Sequence, residues 1–117
     1  MKIVDDKITI IELKEMSAKM YGDLVKAVVD IEKKIMAVDA EMHADEEKSL
    51  LENGSRQEDL WGVNFYPGLS GEDFLEFDSM INLRPSQGNR SRGIDDEKLR
   101  KRIREIVNKL IADGVST

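Results

Sequence analysis

The chain contains no cysteine. Disulfides and thiolate metal sites are therefore excluded, and a reducing, cytoplasmic compartment is the expected one. It contains only two prolines and no low-complexity stretch, while 40% of its residues are hydrophobic, which excludes a disordered composition. No apolar run approaches the ~18 residues that cross a bilayer, so no membrane association is expected. The opening MKIVDDKIT carries Asp5 and Asp6 and lacks the basic-then-apolar layout of a secretory signal. A phosphate-binding P-loop, a dinucleotide fingerprint and a nucleophile elbow are all absent, and no cofactor is implied. There is a single histidine.

With 117 residues, positions 1–117 are expected to form one domain. A chain of this length buries roughly two-thirds of its unfolded surface. The net charge of −6 conceals an asymmetry. Residues 1–83 carry 9 Lys+Arg against 19 Asp+Glu, whereas residues 84–104 carry 8 against 3. An acidic body with one basic end disfavours nucleic-acid binding over the whole surface and leaves room for a local anion site.

Residues 2–4 read as a short strand. Thr9 and Glu12 have capping-box spacing, and Ile10, Leu13, Met16 and Met20 share one face, predicting a helix over 10–21 that Gly22 ends. Val25, Ala27, Val29, Ile31 and then Met36, Val38, Ala40, Met42 alternate, predicting a hairpin turned at Glu32, Lys33 and Lys34. A helix through Leu24, Ala27, Val28 and Ile31 is the competing reading. Residues 43–53 read as a helix stopped by Gly54, and 60–66 as a strand with Trp61, Val63 and Phe65 on one face. Residues 74–83 alternate most cleanly and predict the longest strand, with Glu76, Asp78, Met80 and Asn82 on its wet face. Asp95 or Asp96 caps a last helix whose stripe is Leu99, Ile103, Ile106, Val107 and Leu110. The expected fold is α+β: an antiparallel sheet of about four strands with the N- and C-terminal helices packed on one face.

The stretch DSMINLRPSQGNRSRGI, residues 78–94, is the candidate site. Arg84, Arg90 and Arg92 supply guanidiniums suited to phosphate or carboxylate, and Ser86, Gln87 and Asn89 supply further donors. The helix that follows adds N–H groups and a positive dipole end. The expected ligand is an anionic group, with a phosphate-bearing small molecule as the leading class. The competing reading is that the arginines pair with the acidic body and hold the loop down. Glu76, Asp78 and Asn82 at two-residue steps, about 7 Å apart, would line the approach together with His43, which sits among Glu41, Asp45, Glu46 and Glu47. Those carboxylates would also suit a hard cation, although no metal site is expected from one histidine.

HADEEKSLLENGS, DLWGVNFYP and FDSMINLRPSQGNRSRGIDD together resemble a small prokaryotic family of unknown function, DUF5674, over nearly the whole chain. INLRPSQGNRSRGI is the most specific segment, followed by HADE at 43–46 and DLWG at 59–62. The resemblance implies the domain limits and a prokaryotic cytoplasmic protein, but no catalytic residue and no ligand. Whether the domain is an enzyme therefore stays open. Three other functions remain: a protein-interaction or homo-oligomerisation module, a nucleic-acid binder, and a metal-dependent hydrolase. The nucleic-acid reading is disfavoured by Asp95, Asp96 and Glu97, which precede the basic helix.

Overall fold

A computed structural model of the chain describes residues 1–112 and 114. The first strand, β1 (Lys2–Val4), leads to α1 (Ile10–Lys19). The expected capping box is formed: the Glu12 N–H donates to the Thr9 hydroxyl at 3.0 Å, and the Thr9 N–H donates to the Glu12 carboxylate. Next come β2 (Val25–Asp30) and β3 (Ile35–Val38), the expected hairpin. Its turn lacks glycine and is held by the Asp30 carboxylate, which accepts from the N–H groups of Glu32 and Lys33 at 2.9 Å each. The remaining elements are α2 (His43–Glu52), β4 (Leu60–Phe65), β5 (Leu75–Glu76) and α3 (Glu97–Leu110). Asp96, not Asp95, caps α3, accepting from the Lys98 N–H.

The five strands form one antiparallel sheet in the order β1-β3-β2-β4-β5, one strand more than expected. Alternation along the strands divides the interior between two faces. Ala27, Val29, Met36, Val38, Val63 and Phe65 pack with Leu13 of α1 and Ile103, Ile106, Val107 and Leu110 of α3. The terminal helices thus share one face, as their apolar stripes require. Val28, Ala37 and Leu60 point the other way and meet Leu50 of α2. Leu50 is fully buried, and truncating such a leucine costs about 2–5 kcal/mol.

The strand expected over 74–83 is much shorter. β5 covers two residues, and Met80–Asn82 form a 3-10 turn. Leu75 and Phe77 join the larger core, but Ile81 crosses to the cluster under α2, so the alternation does not persist on one sheet face. Past Asn64, the outer edge of β4 meets side chains instead of a strand. The Asn82 amide accepts from the Gly62 N–H at 2.8 Å and donates to the Gly62 carbonyl at 2.9 Å, reproducing a strand's paired hydrogen bonds. Only glycine fits at position 62: a Cβ there would lie 2.5 Å from that of Ser79.

Asn82→Ala should therefore leave both backbone groups of Gly62 without partners in a buried setting and cost about 2–4 kcal/mol. Urea unfolding measures this, and a loss below about 0.5 kcal/mol would mean that water serves the edge equally well.

Candidate functional site

The loop after β5 uses much of its polarity internally. Arg84 is nearly buried and engages every guanidinium nitrogen: Nε donates to Ile81 O, Nη1 to Gln57 O at 2.8 Å, and Nη2 to Leu60 O and the Glu47 carboxylate. Its Cζ lies 4.7 Å from the centre of the Trp61 ring. Burial lowers its pKa, and the Glu47 charge opposes that shift. Asn89 is also buried: its Nδ2 donates to the carbonyls of Asn82, Ser91 and Gly93, and its Oδ1 accepts from the Asp95 N–H. Arg84 and Asn89 pair through their backbones around a turn closed by Gly88 in the left-handed region. Asp95 supplies the loop's own anion, accepting from the Arg90 N–H at 3.0 Å and the Ser91 hydroxyl at 2.6 Å. Those bonds, the Ser91 hydroxyl first, hold its pKa down.

Arg84, Asn82 and Asn89 are thus fastened into the fold. Ser86 and Gln87 are exposed on the turn, with Gln87 donating to Glu58 O at 3.2 Å. Arg90 and Arg92 remain exposed. Arg92 Nε donates to the Asp78 carboxylate at 2.8 Å.

That contact brings the loop to a polar cluster on the α2 face of the sheet. Lys26, Asn64 and Glu76 are successive cross-strand partners on β2, β4 and β5, so their side chains stand in a row. The amide of Asn64, almost fully buried, donates to Glu76 Oε1 at 2.9 Å and to Asp78 O at 3.2 Å. Tyr66 adds its hydroxyl to Glu76, and the Lys26 ammonium sits 5.0 Å from the Tyr21 ring centre. Over this row α2 sets His43, Glu46 and Leu50, which share one buried side at helical spacing. His43 Nε2 lies 2.8 Å from Val63 O, and because a carbonyl only accepts, Nε2 carries hydrogen. Burial pushes the His43 pKa down, Lys26 adding to that, while the bond to Val63 O, Asn64 and Asp78 oppose it.

Glu46 has 0% exposure, with one carboxyl oxygen accepting from the Ala40 N–H at 3.3 Å and the other unpartnered. Burial pushes its pKa up to about 10, so it is a neutral acid at pH 7. Asn64 Oδ1 is the second unpartnered buried oxygen here. Perturbed titratable groups beside unsatisfied polar atoms are a recognised mark of functional sites.

Four of the expected residues, His43, Glu76, Asp78 and Arg92, are thus brought together. Lys26, Asn64 and Glu46 complete the cluster; Lys26 and Asn64 were missed, and Glu46 was read only as one of the carboxylates flanking His43. For Glu46 a signal existed, its place between His43 and Leu50 on the helix's buried stripe. A cleft of about 480 Å³ between β5 and α3 is lined by Phe74, Leu75, Lys101, Arg104 and Val107, and contains none of these groups. Among the described residues no group of three or more His, Asp or Glu is placed to hold a metal ion, and no helix is long and apolar enough to cross a membrane.

Fold and cluster together give an α+β chain with a mixed-charge group of side chains between its middle helix and its arginine loop. The chain belongs to DUF5674, a family of proteins of unknown function, whose model matches residues 2–110. No curated protein and no solved structure matches it.

Glu46 sets a pH dependence of stability. Its pKa is higher folded than unfolded, so the folded state holds the extra proton and stability falls as pH rises from about 4.5 to about 10. His43, lowered on folding, acts in the opposite sense only below about 6.5. Between pH 7 and 9 the Glu46 effect therefore stands alone, at up to about 1.4 kcal/mol per pH unit. Glu46→Gln should flatten that slope in urea unfolding and raise stability at pH 7 by on the order of 2–3 kcal/mol. A wild type with no slope over this range would contradict a neutral Glu46.

Proposed function

We propose that this domain binds a small anionic group, a phosphate or carboxylate, at the rim formed by Arg92 and Lys26 over the Asn64–His43 floor. One observation carries the reading: Asp78 grips Arg92 with its carboxylate and receives the Asn64 amide on its backbone oxygen. The exposed arginine of the loop and the buried polar floor are therefore parts of one arrangement. An oxyanion would take forked donors from the Arg92 guanidinium and a compact charge from the Lys26 ammonium. The reading moves the contacts from the loop interior to its outer face. Arg84 and Asn89 act as supports, while Arg90, Ser86 and Gln87 stand further along the exposed loop. Because Arg92 and Asp78 are both about half exposed, their ion pair is worth little, and an incoming anion displaces it at small cost.

A second reading, a protein-interaction or homo-oligomerisation surface, is favoured by Met80 and Leu83. They stand 62% and 40% exposed just before the loop.

Thermal-shift titration with inorganic phosphate and with carboxylates separates the two. At one hundred times the Kd a ligand stabilises by about 2.7 kcal/mol. That stabilisation should disappear in Arg92→Ala and in Lys26→Met, and appear at lower concentration in Asp78→Asn, which frees Arg92. No stabilisation by any anion, with light scattering reporting a dimer, would transfer the loop to the interaction reading.

A further inference from the structure

β5 is the outer strand of the sheet, and its free side has one open position. Along an antiparallel strand, residues turn their backbone groups alternately toward the paired strand and away from it. Leu75 stands opposite Phe65, and the Tyr66 N–H donates to the Phe74 carbonyl at 2.8 Å. The N–H and C=O of Leu75 therefore face away from β4, and among the described residues neither has a hydrogen-bond partner. Beyond Leu75 the edge closes. Gly93 packs so tightly on the Phe77 carbonyl that a Cβ there would lie 3.3 Å from the oxygen. The Ser79 N–H donates to Arg92 O at 2.9 Å. Any strand added beside Leu75 must therefore begin or end at Phe77.

The cleft between β5 and α3 includes Leu75 in its wall. Phe74 and Val107 also line it, each 1% exposed, and Phe74 is held by stacking on Phe65 with ring centres 5.4 Å apart. At about 480 Å³ the cleft has room for an apolar side chain and part of its backbone. Its charges are unevenly placed. Glu72 lies on the turn before Leu75, whereas Arg104, with Cζ 5.0 Å from the Phe77 ring centre, marks the end where the edge closes. Lys101 stands one turn before Arg104 on α3, and Glu105, the next residue, is the charge that opposes an anion there. Among the described residues neither Lys101 nor Arg104 forms an ion pair. We propose that this cleft receives the free C-terminal end of another polypeptide, which adds to β5 as a short parallel strand. Its penultimate side chain, apolar, packs on Phe74 and Val107, and its backbone pairs with the N–H and C=O of Leu75. Its terminal carboxylate meets Arg104 and Lys101. The direction follows from the charges: β5 runs toward Phe77, and the carboxylate belongs at that end. A free organic acid would satisfy the apolar wall and the cations but leave the Leu75 backbone unpaired. This goes beyond the anion reading above and shares no residue with it.

The probes are acetylated tetrapeptides Ser-Thr-X-Thr with a free C-terminal carboxylate, X being leucine, valine or phenylalanine. They are titrated into the isotope-labelled chain and followed through its backbone amide NMR signals. With at least one of them the Leu75 amide proton should move downfield as it gains an acceptor, together with the signals of Arg104 and Val107. The amidated twin of that peptide should bind on the order of tenfold more weakly, because hydrogen bonds to a charged group are lost. N-methylation of its last amide, which removes the donor to Leu75 O, should also weaken binding severalfold. Lys101→Glu, a change at an exposed position, should weaken the free acid and leave its amidated twin little affected. If the Arg104 and Val107 signals move while the Leu75 amide stays in place and N-methylation has no effect, strand addition is wrong and the cleft takes a small apolar acid. If no cleft signal moves with any of the three peptides at millimolar concentration, the proposal falls. The peptide modifications leave the protein untouched, so the outcome does not depend on a variant that folds.

Discussion

The pairing of the Asn82 side chain with the backbone of Gly62 is the constraint on which the rest of this structure depends. A sheet edge needs partners for its N–H and C=O groups, and β5 ends after two residues. Because a side-chain amide completes the edge, the chain is free to leave the sheet and make a turn. Asn82 also donates to Arg92 O, and its carbonyl receives Asn89, so the same residue fixes the start and the far side of the loop. Arg84 extends the edge repair to Leu60 O and closes over Trp61. The outcome is that Arg92 emerges next to Asp78, at the end of the sheet where Asn64 and His43 lie.

Local signals in the sequence carried most of the fold. The Thr9–Glu12 box, the alternation of Val25 to Val29 and the apolar stripe of α3 each act over a few residues, and each formed as read. The alternation of residues 74–83 misled because polar residues at every second position describe both a wet strand face and a row of side chains turned inward to repair a neighbour. Asn82 is 0% exposed. Nothing in its type distinguishes the two cases, since its partner, Gly62, is twenty positions away. The same ambiguity applied to the loop. Arginine and asparagine advertise donors, but whether those donors face a ligand or the protein's own carbonyls is decided by tertiary packing. Arg84 and Asn89 went one way and Arg92 the other. Lys26 and Asn64 were not legible because each is one polar residue within an apolar strand, and only strand order makes them neighbours.

The cluster under α2 is expensive for so small a fold. A carboxylic acid kept neutral at pH 7 and an unpartnered amide oxygen both work against stability, which for a domain of this size totals roughly 5–15 kcal/mol. Apolar residues at these positions would pack without that penalty. Natural proteins carry such features chiefly at sites where activity and stability compete. Here they coincide with four residues singled out on chemical grounds from the sequence, His43, Glu76, Asp78 and Arg92. Under the anion-binding proposal the loop's rigidity would serve the same end, since a site holds its geometry only as well as the residues that support it.

Native-state hydrogen exchange tests the central claim, that the arginine loop is a fastened part of the fold which presents Arg92 to the site. The amides of Gly62, Arg84 and Asn89, whose hydrogen bonds go to Asn82 Oδ1, Asn89 O and Arg84 O, are the reporters. The account predicts that all three exchange only through global unfolding, with the same free energy as the amides of β2 and β4. Exchange of Arg84 and Asn89 at near-random-coil rates while the β2 amides stay protected would contradict it, and would mean that the loop is open without a partner.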